Sequence, residues 1–298
     1  MKKAVIDLGT NTFNLLIADV GTNDFDTLHT DKVGVAIGLG GINKQQLTLD
    51  SQMRALNALK KFKQTCDEFD VVSITALGTS AIRDAQNSVE FLTKVKAQTG
   101  IEVDVISGER EAELIYKGIS WTHSFEKPAV IMDIGGGSTE FILANNAGID
   151  KKISLNIGIS RIFQGLKTGD PLCESDIVMI ENWLDNVVGN QLDEYTTTSL
   201  VGASGVFETF YEMIHLQDFT HNRKSYQFDF QKLNEVLDWL VYSTTQQRDE
   251  HEFIIPIRKL MGPITAVKIK WIFNKLHVND VWLSPYSMKE GGLKLEND

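Results

Sequence analysis

Two aspartates close apolar strands and run straight into turns of glycine and hydroxyl residues: Asp7 in AVIDLGTNTFNLL (residues 4–16) and Asp133 in AVIMDIGGGSTEFIL (residues 129–143). A strand-end carboxylate beside such a turn makes chemical sense if the turn holds an anion through a metal. Glycine lets backbone N–H groups approach phosphate oxygens closely, and a Thr or Ser hydroxyl adds a donor. That assigns phosphate binding to Gly9, Thr10, Asn11 and Thr12 in the first turn, and to Gly135, Gly136, Gly137 and Ser138 in the second. Alone, the carboxylates would repel phosphate. A Mg²⁺ held by one or two carboxylates plus the phosphate removes that repulsion, so Asp7 and Asp133 are the candidate metal ligands. A lone D-x-G turn reads equally well as a plain hairpin; the paired occurrence and the three-glycine run favour close backbone approach. Neither G-x-x-x-x-G-K-[ST] nor G-x-G-x-x-G follows a strand, so a P-loop or dinucleotide motif is not read.

Superposed on their aspartates, the stretches align Leu8 with Ile134, Gly9 with Gly135, Thr12 with Ser138, and end on Ala18 and Ala144. This internal repeat of strand, turn and strand predicts two related domains whose turns grip one phosphate chain from opposite sides of a cleft. The intervening pattern alternates as in α/β proteins. LTLDSQMRALNALKKFKQTC spaces Leu49, Met53, Leu56, Leu59 and Phe62 by three and four, predicting one apolar helix face. FDVVSITALG reads as a strand, TSAIRDAQN as a helix behind a Thr/Ser cap, IEVDVIS as a strand and GEREAELIYKGIS as a helix. After the second repeat the alternation continues through DIVMIENWLDNVVGNQL, TSLVGASG followed by VFETFYEMI, FQKLNEVLDWLVYSTT, and MGPITAVKIKWIFNKL leading to the short strand DVWLSP.

The chain has 298 residues and a formal charge of -11. An acidic field repels nucleic acid and membrane surfaces, so neither is expected as a partner. Two distant cysteines, Cys66 and Cys173, fit a reducing cytoplasm and form no disulfide framework or zinc pattern. The six histidines show no H-x-x-x-H or H-x-H spacing. Asp7, Asn11, Asn14 and Asp19 interrupt any signal-peptide core, and no apolar run reaches transmembrane length.

AVIDLGTNTFNLLIAD, ALGTSAIRDAQN, VISGEREAELIYKGI and VIMDIGGGSTEFIL occur in the order found in the exopolyphosphatase and guanosine pentaphosphate phosphatase (Ppx/GppA) family, which the chain resembles closely over about residues 3–166. That resemblance implies an α/β protein of two actin-like (ribonuclease H-like) domains with a central cleft, each a mixed five-stranded sheet flanked by helices. Domain I would be residues 1–119 plus about 286–298, and domain II residues 120–285. It also implies a Mg²⁺-dependent enzyme removing the terminal phosphate from polyphosphate or pppGpp, often as a homodimer. The glutamate that orients or deprotonates the attacking water falls on Glu111. The second turn's aspartate, glycine and closing glutamate fall on Asp133, Gly135 and Glu140, the first phosphate loop on Asp7 with Gly9 to Thr12, and the T-S-A-x-R arginine on Arg83. Glu111 then lies in the first turn of a helix, where the dipole favours an ionised carboxylate. Arg83 offers a fork of donors for phosphoryl charge. For Glu140, a catalytic acceptor and an ordinary polar residue on an alternating strand both stand open.

Several positions depart from the family pattern. Val35, Ala36 and Ile37 are uncharged where a basic residue is usual, Arg258-Lys259-Leu260 lacks the acid of an R-x-D element, and Lys289 replaces an arginine. The helical C-terminal domain of long relatives is not present in the sequence, which predicts preference for shorter chains or nucleotides. The glycine turn of residues 201–208 lies where superfamily kinases bind adenosine, or only closes a corner. An ATP-dependent small-molecule kinase and a non-catalytic polyphosphate or alarmone binder are the alternative readings.

Overall fold

The computed structural model describes residues 1–203 and 205–293. Ser204 of the glycine turn and residues 294–298 of the C-terminal segment lie outside the described residues. Contacts divide the chain into two units: Met1–Gly118 with Gly135–Gly137 and the segment from Ser287, and Ile119–Ile134 with Ser138–Tyr286.

The first unit holds β1 (Lys2–Leu8), β2 (Thr12–Val20), β3 (Phe25–Gly34), α1 (Leu49–Glu68), β4 (Ser73–Gly78), α2 (Ser80–Arg83), α3 (Ser88–Thr99), β5 (Val103–Val105) and α4 (Gly108–Ile119). Its mixed five-stranded sheet has the order β3-β2-β1-β4-β5. Strand pleating sends Ala4, Ile6 and Leu8 into a core with Leu59 and Phe62 of α1 and Phe91 and Val95 of α3. Val5 and Asp7 therefore share the opposite face. Each such aliphatic or aromatic side chain taken fully out of water contributes roughly 1.5–3 kcal/mol.

Two local expectations need correction. Leu49 and Met53 are 74% and 61% exposed; α1 buries Leu59 and Phe62 as expected, together with Ser51, Gln52, Ala55, Ala58 and Cys66. The Thr48 side chain caps the helix by accepting from the Ser51 N–H, and that start rotates the buried stripe away from Leu49. The helix read from TSAIRDAQN is a single turn, α2, and Thr79 does not cap it: its hydroxyl donates to the Leu8 carbonyl at 3.2 Å.

The second unit holds β6 (Ala129–Ile134), β7 (Thr139–Asn145), β8 (Gly148–Leu155), α5 (Ile159–Gly165), α6 (Glu174–Val188), β9 (Ser199–Ala203), α7 (Gly205–His215), β10 (Tyr226–Gln227), α8 (Phe230–Tyr242), α9 (Thr245–Glu250), α10 (Pro256–Leu276) and β11 (Asp280–Leu283). Its mixed sheet has six strands in the order β10-β11-β9-β6-β7-β8, one more than expected, because the two-residue β10 pairs with β11. Residues of β6 are almost wholly buried and pair with β9 in parallel, the pattern of a strand covered on both faces. A Cβ on Gly202 of β9 would stand 2.3 Å from the Phe207 ring, so glycine there lets α7 fold back and close the corner. No described helix is long and apolar enough to cross a membrane.

The chain re-enters the first unit as α11 (Met288–Gly292). A Cβ on Gly291 would lie 1.9 Å from the Leu114 carbonyl of α4, and one on Gly292 3.1 Å from Val5. Glycine at both positions allows α11 to seat tightly between β1 and α4 on the Asp7 face of the sheet.

Candidate active site

The sequence repeat is a structural repeat. Asp7 pairs with Asn14 across the β1–β2 hairpin, and Asp133 pairs with Glu140 across β6–β7, the same step of seven residues in each. Directly opposed residues of an antiparallel pair share a sheet face, so each aspartate has a polar neighbour beside it. In the first hairpin the Asn14 Nδ2 donates to Asp7 Oδ2 at 2.9 Å. In the second, Glu140 is 1% exposed and its Oε1 accepts from Ser154 Oγ of β8 at 2.7 Å.

The first turn is fastened from outside its hairpin. Val35 and Ala36 donate to the Asn11 carbonyl at 3.0 and 2.8 Å, and Gly38 donates to the Thr10 carbonyl at 3.2 Å. Arg54 of α1 in turn donates from Nε to the Val35 carbonyl at 2.7 Å and from Nη2 to the Ala36 carbonyl at 3.0 Å. The uncharged Val35-Ala36-Ile37 stretch thus works through its backbone. Arg54 was missed by sequence reasoning because its partners are 18 and 19 residues away and are carbonyls, which leave no side-chain signature.

The glycine run Gly135–Gly137 groups with the first unit. A Cβ on Gly136 would lie 2.8 Å from Asn11 Nδ2 and 2.9 Å from Thr10 Cβ; one on Gly137 would lie 2.4 Å from Ser80 Oγ and 2.8 Å from Thr10 Oγ1. Only bare backbone fits this close to the hydroxyls of Thr10 and Ser80. Ser80 is 2% exposed, and its Oγ is without a hydrogen-bond partner among the described residues. A buried hydroxyl left unsatisfied is costly, and such groups gather at binding sites. Among the expected phosphate ligands, Thr10, Asn11, Gly136 and Gly137 are therefore brought together, with Ser80 added. Gly9 supports the turn internally, since a Cβ there would meet the Thr12 carbonyl at 2.8 Å. Ser138 is 2% exposed at the start of the return strand.

The single turn α2 links this cradle to the candidate base. Ser80 opens it; Arg83 closes it and donates from Nη1 to Glu111 Oε2 at 3.0 Å and to the Ile106 carbonyl at 3.0 Å. Glu111 lies in the first turn of α4, as expected, and is 8% exposed. An arginine hydrogen bond and a helix N-terminus both favour its ionised form.

Other departures have structural uses. Arg258 donates to the Thr209 hydroxyl of α7, while the carboxylates of Glu208 and Glu212 oppose the lowering of its pKa by burial. Lys289 pairs with Glu290 at 3.0 Å.

Among the described residues no group of three or more His, Cys, Asp or Glu side chains is placed to hold a metal. The donor chemistry on offer is the carboxylate oxygen at the end of β1, Asp7, or of β6, Asp133, of the kind that suits a hard cation taking most of its ligands from water and substrate.

A sequence model described as the Ppx/GppA phosphatase family matches residues 16–295. The crystal structure of an exopolyphosphatase from Cytophaga hutchinsonii is 36% identical with a TM-score of 0.94, over 98% of this chain and 96% of that one. The Aquifex aeolicus PPX-GPPA enzyme shares the fold, with 23% identity and a TM-score of 0.81 over 99% of both chains. A bifunctional 3-dehydroquinate synthase/phosphatase of Fusobacterium nucleatum is 34% identical over 222 residues, 70% of this chain; the match spans 33% of that protein's length.

Proposed function

Since the chain belongs to the Ppx/GppA phosphatase family, we propose that it is a phosphoanhydride hydrolase releasing the terminal phosphate of inorganic polyphosphate, with pppGpp as the second substrate to test. The observation that carries this reading is α2, which joins the glycine–hydroxyl cradle at Ser80 to the Glu111 carboxyl through Arg83. The similarity to an exopolyphosphatase supports polyphosphate as the first choice.

The backbone of Gly136 and Gly137 and the hydroxyls of Thr10 and Ser80 hold the terminal phosphoryl group. Glu111 accepts a proton from the attacking water. The water oxygen bonds to the terminal phosphorus, the bridging P–O bond breaks, and its electron pair leaves with the shortened chain. Arg83 is a positioning residue that keeps the Glu111 carboxylate turned and charged. Asp7 and Asp133 are the carboxylates that would hold Mg²⁺, which when bound neutralises phosphate charge. Glu140, buried against Ser154, supports the second hairpin. The loose transition state of phosphoryl transfer asks mainly for such positioning and charge balance. Free Cys66 and Cys173 suit a reducing cytoplasm as the working compartment.

Phosphate release from polyphosphates of graded length and from pppGpp, with and without Mg²⁺, tests this. Release from tripolyphosphate and longer chains only with Mg²⁺ is expected. Transfer of labelled γ-phosphate from ATP to an acceptor without phosphate release would instead establish a kinase, and tight binding without release a binder.

A further inference from the structure

A buried lysine holds the start of β7, the strand that leaves the second turn. Lys268 of α10 is 0% exposed, and its ammonium donates to the Thr139 hydroxyl and, at 2.6 Å, to the Ile157 carbonyl. Thr139 follows Ser138 at the turn's exit, and Ile157 lies just beyond β8, so this one group clamps the return strand β7 to the chain leaving its neighbour. Packing did not require it: the same helix buries Ile264, Val267, Ile269 and Ile272, and another aliphatic residue would fill the space without a desolvation penalty.

Resting on the hydrolase reading, we propose that Lys268 is a positioning residue for catalysis, fixing the exit of the second turn through Thr139 and lending positive charge, from inside the core, to the phosphate that the turn receives.

Burial drives the Lys268 pKa down to about 7, against an opposing pull from the Glu140 carboxylate. The Glu140 carboxylate on β7 opposes the lowering, and the atoms that accept from the ammonium, on β7 and on the chain after β8, are neutral oxygens. The ammonium is thus present below about pH 7 and fades above it. An arriving phosphate favours the charged form, so by linkage anion binding takes up a proton and weakens as the lysine deprotonates. Charge in a low-dielectric interior acts on a neighbouring anion far more strongly than the same charge in water.

The test is calorimetric binding of imidodiphosphate, a non-hydrolysable phosphoanhydride, with Mg²⁺ at pH 6.5 and 8.5, comparing wild type, Lys268→Met and Lys268→Arg. The ligand's own ionisation is common to all three and cancels in the comparison. Expected are an affinity about tenfold weaker for Lys268→Met at pH 6.5, convergence with wild type at pH 8.5, and recovery in Lys268→Arg without the pH dependence. Lys268→Met within twofold of wild type at both pH values would overturn the assignment. If that variant lacks a native circular-dichroism spectrum, Lys268→Arg decides against wild type: loss of the wild-type fall in affinity between pH 6.5 and 8.5 supports the role, and an unchanged pH dependence overturns it. Wild-type binding with this linkage but no phosphate release from polyphosphate would sink the hydrolase while leaving the charge role of Lys268 standing.

Discussion

Glu111→Gln lowers kcat for phosphate release by ~10²- to 10⁴-fold, the range that a positioned general base contributes, and leaves KM nearly unchanged. Glutamine is close to isosteric and still accepts from Arg83, so the Arg83 Nη1 contact at 3.0 Å and the first turn of α4 persist. What is lost is the site that takes the water proton. A fall in kcat at constant KM marks an interaction used in the transition state and not in binding. The loss should not respond to added phosphate or to pH within the folded range, because the amide does not titrate. Steady-state kinetics on tripolyphosphate, with a thermal melt to confirm the fold, decides this. Turnover within threefold of wild type would remove Glu111 from the reaction.

Gly137→Ala is expected to abolish most activity for a different reason. The new methyl would sit 2.4 Å from Ser80 Oγ and 2.8 Å from Thr10 Oγ1. Ser80 and Thr10 are 2% and 4% exposed, so neither has room to retreat, and the glycine run must lift instead. A displacement near 1 Å in a phosphoryl-transfer site costs about 10²-fold in rate. Gly34→Ala is the control, since a Cβ there meets nothing within 4 Å. In a Ser80→Gly background, which lacks both the nearest obstructing atoms and a phosphate ligand, Gly137→Ala should cost much less than it costs wild type if sterics are the cause. Full activity in Gly137→Ala would show that the turn need not approach so closely.

The parts of this molecule that the sequence announced are those whose physics is local. A glycine run after a strand-end aspartate dictates its own turn, and the repeat of that pattern carried over into hairpins of identical step, Asp7 to Asn14 and Asp133 to Glu140. Glu111 in the first turn of a helix was equally readable, because Gly108 and the acidic start of α4 mark where that helix begins. Nonlocal bonds were not readable. Spacing gives no hint that Arg83 reaches Glu111, 28 residues on, or that Thr79 spends its hydroxyl on Leu8, 71 residues back, instead of capping α2. The apolar periodicity of α1 holds at Leu59 and Phe62 and fails at Leu49 and Met53, because Leu49 stands at the exposed first position, where the cap and not the core fixes the residue's direction. Lys268 left a signal that went unused: Ile264, Trp271 and Ile272 lie on its own face of α10, so a helix period places the lysine among buried residues.

Hydrolysis in ¹⁸O-labelled water tests the central claim most directly, because it asks where the attacking oxygen goes. With tripolyphosphate and Mg²⁺ under single-turnover conditions, mass spectrometry should find one ¹⁸O in the released monophosphate and none in the pyrophosphate left behind. Label in the pyrophosphate, or release of unlabelled phosphate, would contradict attack by water on the terminal phosphorus.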